Sequence, residues 1–81
     1  MKNIIDIRNK EKYLKSHIEG AVNISYMDLL LNHKKYLDKN KTYYIYCDSG
    51  IRSKRLVNEV NNLGYHTIDI EGGYNNYLRK N

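Results

Sequence analysis

The chain contains one cysteine, and it stands at a boundary between two patterns. Cys47 closes the β-type run Tyr43-Tyr44-Ile45-Tyr46 and opens the segment Cys47-Asp48-Ser49-Gly50-Ile51-Arg52-Ser53, where a helical pattern begins. A thiol in a short loop that feeds a helix meets three effects favouring the thiolate. The first N–H groups of a helix lack intrahelical partners and can converge on negative charge. The helix dipole places partial positive charge at the same end. Arg52 is a permanent cation in the loop, with Lys54 and Arg55 close behind. Asp48 opposes the thiolate if its carboxylate faces the sulfur. Gly50 lets the loop adopt a backbone conformation that other residues resist. The chemistry this set suits is that of a stabilised, reactive thiolate. The plainer reading is an inert buried cysteine, common among free thiols. The loop, the helix start and the arginine count against it.

The remaining titratable residues receive structural readings. Asp6 and Arg8, at the end of the first apolar run, are expected to pair in a supporting ion-pair or hydrogen-bond network, because charges there are normally partnered. His17 is a candidate general base but is read as structural. His33 and His66 have no metal-ligand spacing with any carboxylate, so no metal or cofactor is expected. A lone cysteine forms no internal disulfide and no thiolate-rich zinc site, which fits a reducing, cytoplasmic setting.

These residues need a scaffold, and 81 residues allow one domain, 1–81, with a modest core. Four apolar runs read as strands: Ile4 to Ile7, Ala21 to Ile24, Tyr43 to Tyr46 and Thr67 to Ile70. Helical patterns lie between them. Lys10 to His17 reads as a short charged helix. Ser25-Tyr26-Met27-Asp28 has the form of a capping box with Ser25 as N-cap. Beyond it Tyr26, Leu29, Leu30, His33 and Leu37 fall on one face of a single helix. Ile51 to Leu63 carries the stripe Leu56, Val57, Val60 and Leu63, with Gly64 as the expected C′ stop. Tyr74 to Lys80 reads as a last helix, after a tight turn at Gly72-Gly73. Strands alternating with helices predict an α/β domain with a mainly parallel sheet. Such sheets bind ligands beyond the carboxyl ends of their strands, and Cys47 occupies such an end.

The formal charge is +5, with lysines scattered along the chain. Scattered charge reads first as a solvated surface, and more sharply as attraction for small anions or an acidic partner. Nine tyrosines with no Phe or Trp raise base stacking as an idea, but several adjoin strands, where aromatics are common. No RNP-like motif or zinc-finger spacing supports nucleic-acid binding. A charge interrupts the N-terminus within six residues, against a signal peptide. The longest apolar run, Met27 to Leu31, is broken by Asp28 and far too short for a bilayer.

The Cys47 loop resembles the active-site loop of single-domain rhodanese-like sulfurtransferases, of the form C-x-x-G-x-R-S. Ile5-Asp6-Ile7-Arg8 is similar to that family's D-x-R signature, and His17 to Ile24 to its H-I-x-G-A-x-N-I segment. Gly64-Tyr65 and Gly72-Gly73-Tyr74 resemble its closing elements. Any one is weak; together they run in the family's order from Ile4 to about Tyr77. The resemblance implies a central parallel sheet with helices on both faces. It implies that Cys47 attacks the outer sulfur of a small anionic donor such as thiosulfate or a persulfide, and that a thiol, cyanide or a protein acceptor then takes the sulfur. The N–H groups from Asp48 to Ser53 would cradle the persulfide. Arg52 would attract the donor or brace the loop, and Ser53 would bond near the sulfur or cap the helix.

Four residues separate Cys47 from Arg52, where the related phosphatases and arsenate reductases carry five. The shorter loop suits a sulfur atom rather than a tetrahedral oxyanion. A non-catalytic binding or regulatory module on the same fold is the alternative. Members typically have another strand and helix ahead of the D-x-R segment, so about four strands and an exposed sheet edge are expected. Glu19 and Tyr77 stand where the family often has proline and tryptophan.

Overall fold

The computed structural model describes residues 2–80. Strands β1 (Asn3–Asp6), β2 (Val22–Asn23), β3 (Thr42–Tyr46) and β4 (His66–Asp69) form one sheet in the order β2-β1-β3-β4. Every neighbouring pair is parallel, with Ile5 opposite both Val22 and Ile45, and Tyr43 opposite Thr67. Parallel neighbours require crossover connections. These contain α1 (Lys10–Lys15), α2 (Tyr26–Leu31), α3 (His33–Tyr36) and α4 (Ile51–Asn61); α5 (Gly73–Lys80) follows β4.

Alternation along the strands sorts side chains onto two faces. Ile5, Ile7, Tyr43, Ile45 and Cys47 pack with Leu29 of α2 and with Leu56, Val57 and Val60 of α4. Tyr46 and Ile4 pack on the other side with Ile18, Ala21, Tyr13 of α1, and Tyr74 and Tyr77 of α5. The helices therefore cover both faces, as expected. Leu29, Ile45, Leu56 and Val60 are fully buried, and each such side chain contributes about 1.5–3 kcal/mol.

Several boundaries differ from the sequence expectation. The strands expected over Ile4 to Ile7, Ala21 to Ile24 and Thr67 to Ile70 are shorter or shifted by one residue. The helix expected from Lys10 to His17 ends at Lys15. Ser25 does cap α2, its Oγ accepting from the Asp28 N–H at 3.2 Å. The single helix expected through Leu37 is two helices broken at Asn32. Asn32 Nδ2 and the Tyr36 hydroxyl both donate to the Asp28 carboxylate, at 2.8 and 2.6 Å. Both bonds tie the first turn of α2 to the break and to α3. The Tyr36 and Asn32 hydrogen bonds hold the Asp28 carboxyl below the usual carboxylate range. Gly64, at φ +99°, turns the chain two residues beyond the α4 C-cap Asn62, rather than at C′.

Strand β4 lies at one edge of the sheet. There the Asn61 amide accepts from the Thr67 N–H and donates to the Thr67 carbonyl, both at 2.9 Å. This side chain satisfies an edge peptide as a neighbouring strand would. Among the described residues, no helix is long and apolar enough to cross a membrane.

The order β2-β1-β3-β4 means that the chain leaves β1 toward one edge and β3 toward the other. The loops after β1 and β3 thus diverge, opening a crevice at the strand ends, where such sheets bind ligands.

Candidate functional site

Cys47 directly follows β3, and alternation turns its side chain to the α4 face. Gly50 is the α4 N-cap, at φ +96° in the left-handed region that glycine tolerates. A glycine offers no capping oxygen, and α4 has no side-chain cap. The cysteine sulfur takes that place. The Gly50 N–H donates to Cys47 Sγ at 3.2 Å, and the Ser53 N–H, in the first turn of α4, at 3.4 Å. An N-cap oxygen normally accepts from this part of the helix. Two backbone donors and the positive end of the α4 dipole therefore meet on sulfur, an arrangement that holds negative charge.

Ser53 is fully buried beside the sulfur. Its Oγ lies 3.4 Å from Cys47 Sγ, 3.3 Å from the Gly50 carbonyl and 2.5 Å from Asp69 Oδ1. One hydroxyl proton serves one acceptor at a time. While it goes to Asp69, Ser53 Oγ accepts from the cysteine S–H. Of the two expected roles for Ser53, bonding near the sulfur is the one its position supports; it sits inside the first turn and is not the cap.

The Gly72-Gly73 turn locks the loop from behind. The Tyr74 and Asn75 N–H groups at the start of α5 donate to the Cys47 and Asp48 carbonyls, at 2.8 and 3.0 Å. Gly73 has φ +61°, and a Cβ there would stand 2.4 Å from the Cys47 carbonyl oxygen. Only glycine allows this approach, which fixes the peptide planes of the loop.

A cleft of about 180 Å³ opens above the thiol, lined by Arg8, Asn9, Lys12, Cys47, Asp48, Ser49 and Arg52. It lies between the loops after β1 and β3, at the crevice set by the strand order. A larger depression of about 500 Å³ beside β4, near Thr42, Asn61 and Thr67, gathers no comparable set of charges. Cys47 is only 5% exposed, so the thiol lies at the base of the cleft and is not openly accessible. Asp48 turns across the mouth to Lys12 Nζ at 2.8 Å and Arg8 Nη1 at 3.9 Å. The Arg52 guanidinium lies over the Tyr26 ring, 5.0 Å from its centroid. Ser49 lines the cleft, while Ile51 points into a neighbouring groove with Tyr26, Met27 and Arg55.

Asp6 and Arg8 form the pair the sequence suggested. Arg8 Nη2 meets Asp6 Oδ2 at 2.7 Å, Arg8 Nε meets both Asp6 oxygens at 3.1 Å, and Arg8 Nη2 also donates to the Ser16 carbonyl at 2.7 Å. The Tyr46 hydroxyl donates to Asp6 Oδ2 at 2.6 Å and accepts from the Ile18 N–H at 3.1 Å. Burial works against the Arg8 charge, but the hydrogen bonds and charge of Asp6 outweigh it and hold the guanidinium above its ordinary range. Burial, reinforced by the hydrogen bond to Asp6, pushes the Tyr46 phenol well above its ordinary value. His17 stacks on Tyr13 with centroids 3.8 Å apart, and its Nδ1–H donates to the Tyr13 carbonyl at 2.7 Å. It is not among the residues that line the Cys47 cleft.

The fold thus gathers Cys47, Asp48, Ser49, Arg52 and Arg8 at one cleft, with Gly50 and Ser53 beneath the sulfur. Lys12 and Asp69 were not expected there. Asp69 carried a signal, a carboxylate in a β-type run three residues before Gly72-Gly73; Lys12 is one lysine of many.

Comparisons with known proteins agree with this fold. Residues 1–80 match the family described as Rhodanese-like domain. The thiosulfate sulfurtransferase PspE of Escherichia coli is 31% identical over 70 residues, which span 85% of this chain and 67% of that protein. The mitochondrial Arabidopsis thaliana protein HIGH ARSENIC CONTENT 1 is 30% identical over 86 residues, 91% of this chain and 51% of that protein. The crystal structure of SSP1007 from Staphylococcus saprophyticus superposes with a TM-score of 0.86 at 30% identity, covering 94% of this chain and 75% of that one. The chain therefore belongs to the rhodanese-like domain family.

Proposed function

We propose that the chain is a rhodanese-type sulfurtransferase that carries sulfur on Cys47 as a persulfide. The observation that carries this reading is the convergence of the Gly50 and Ser53 N–H groups on Cys47 Sγ. With thiosulfate as donor, the Cys47 thiolate bonds to the outer sulfur, the bond between the two donor sulfurs breaks, and sulfite leaves. The Cys47 persulfide anion keeps the loop donors and the α4 dipole as its stabilisers. A thiol, cyanide or a protein nucleophile then takes the outer sulfur and returns the thiolate, which splits one transfer into two. Arg52 and Lys12 draw anionic donors into the cleft. A working thiolate belongs in a reducing compartment, so a cytoplasmic setting is part of the proposal.

The test is intact-mass spectrometry after incubation with thiosulfate or a persulfide. Wild type is expected to gain the mass of one sulfur atom, and Cys47→Ser none. Equal sulfur transfer to cyanide by the two proteins would sink the reading.

Oxyanion chemistry is the second reading, raised by the relative whose name refers to arsenic. The four-residue spacing from Cys47 to Arg52 argues against it, because it leaves a loop sized for sulfur. Hydrolysis of an aryl phosphate without any persulfide on Cys47 would favour it instead.

A further inference from the structure

Resting on the sulfur-carrier reading, we propose that the loading substrate is the persulfide of an α-amino acid, with an ammonium and a carboxylate beside its sulfur, rather than a purely anionic donor. The observation is the ion pair across the mouth of the cleft. Lys12 Nζ and Asp48 Oδ2 meet at 2.8 Å, with side chains 52% and 43% exposed. An exposed pair of this kind is weak and opens readily. Arg8 is already engaged by Asp6 and reaches Asp48 only at 3.9 Å. Among the described residues Arg52 makes no ion pair, and it lies over Tyr26.

A dianion entering this cleft gains Arg52 and Lys12. To do so it draws Lys12 from Asp48 and then faces that carboxylate directly. A zwitterion divides the same ion pair into two. Its carboxylate takes Lys12 and Arg52, its ammonium takes Asp48, and no like charges are left side by side.

The transfer needs no outside oxidant or reductant. Cys47 Sγ bonds to the outer sulfur of the persulfide, the bond between its two sulfurs breaks, and the amino acid leaves as a thiolate that takes a proton from solvent.

The experiment compares initial rates of Cys47 loading, read by mass spectrometry, for wild type and Asp48→Asn. The donors are cysteine persulfide, its deamino analogue 3-mercaptopropionate persulfide, glutathione persulfide, whose sulfur-bearing residue has an amide for its ammonium, and thiosulfate. Wild type is expected to prefer cysteine persulfide over both the deamino analogue and glutathione persulfide by about three- to fivefold in kcat/KM. In Asp48→Asn the preference falls to about one, and loading from thiosulfate rises severalfold. The wild-type comparison stands whether or not the variant folds. Equal loading from the first two donors in wild type overturns the inference alone, as does a preference that survives Asp48→Asn. Absence of loading from every donor overturns the sulfur-carrier reading itself.

Discussion

Two polar clusters occupy the ends of β1 and β3, on opposite faces of the sheet, and they follow opposite rules. On one face the Asp6 carboxylate accepts from Arg8 and Tyr46, while Arg8 and Tyr46 reach on to Ser16 and Ile18. Asp6 is fully buried and its charge is matched. On the other face, Cys47 Sγ receives two backbone donors and its S–H donates to Ser53 Oγ, whose one proton is contested by Asp69 and the Gly50 carbonyl. Saturation makes the first cluster a brace. Competition for a proton makes the second responsive to the charge on sulfur. Burial does not distinguish them, since Cys47 and Asp6 are both buried.

Removing Asp6 is the most severe way to break this contrast. Asp6→Ala leaves the buried Arg8 charge unpaired, and chemical denaturation is expected to show a loss of about 3–5 kcal/mol. A loss below about 1 kcal/mol would mean that the brace is not one.

Tyr46 sharpens the comparison through pH. Its native ionisation lies above its unfolded one, because of burial and then the bond to Asp6. Its contribution is therefore fully present below about pH 10 and is lost as pH rises toward the native ionisation. Tyr46→Phe is expected to cost about 1.5–3 kcal/mol at neutral pH. In urea titrations at about pH 8 and about pH 11, the gap between wild type and variant should narrow at the higher pH. A constant gap would remove the phenol from the network's energetics.

The smallest effect on stability is expected at Asp69. Asp69→Ala removes one hydrogen bond, worth about 1 kcal/mol, yet frees the Ser53 proton for the sulfur. Alkylation of Cys47 by iodoacetamide at neutral pH should then quicken by about three- to tenfold. An unchanged rate, together with a stability loss as large as that of Asp6→Ala, would make the two clusters alike after all.

Much of the site was legible because it is local. Cys47, Gly50, Arg52 and Ser53 lie within seven residues, and a strand end followed by a helix start predicts where their N–H groups point. The Asp6–Arg8 pair is two residues apart and was legible for the same reason. The break at Asn32 was not, although it is local. Periodicity through Leu37 reports burial, which two short helices satisfy as well as one, and gives no weight to Asp28 as an acceptor for Asn32 and Tyr36.

The sequence by itself determined the candidate loop: one thiol, placed by strand alternation and by a glycine-led helix start, with a cation five residues on. Its surroundings were decided by the tertiary structure. Asp69 reaches Ser53 because β4 pairs with β3, sixteen residues away in the chain. Lys12 reaches Asp48 across thirty-six residues because the loops after β1 and β3 flank one crevice. Local patterns fix where a strand ends, since they depend on neighbours in the chain. Which strands lie side by side depends on how the whole sheet buries its two faces, and that choice supplied the carboxylate below the sulfur and the ion pair above it.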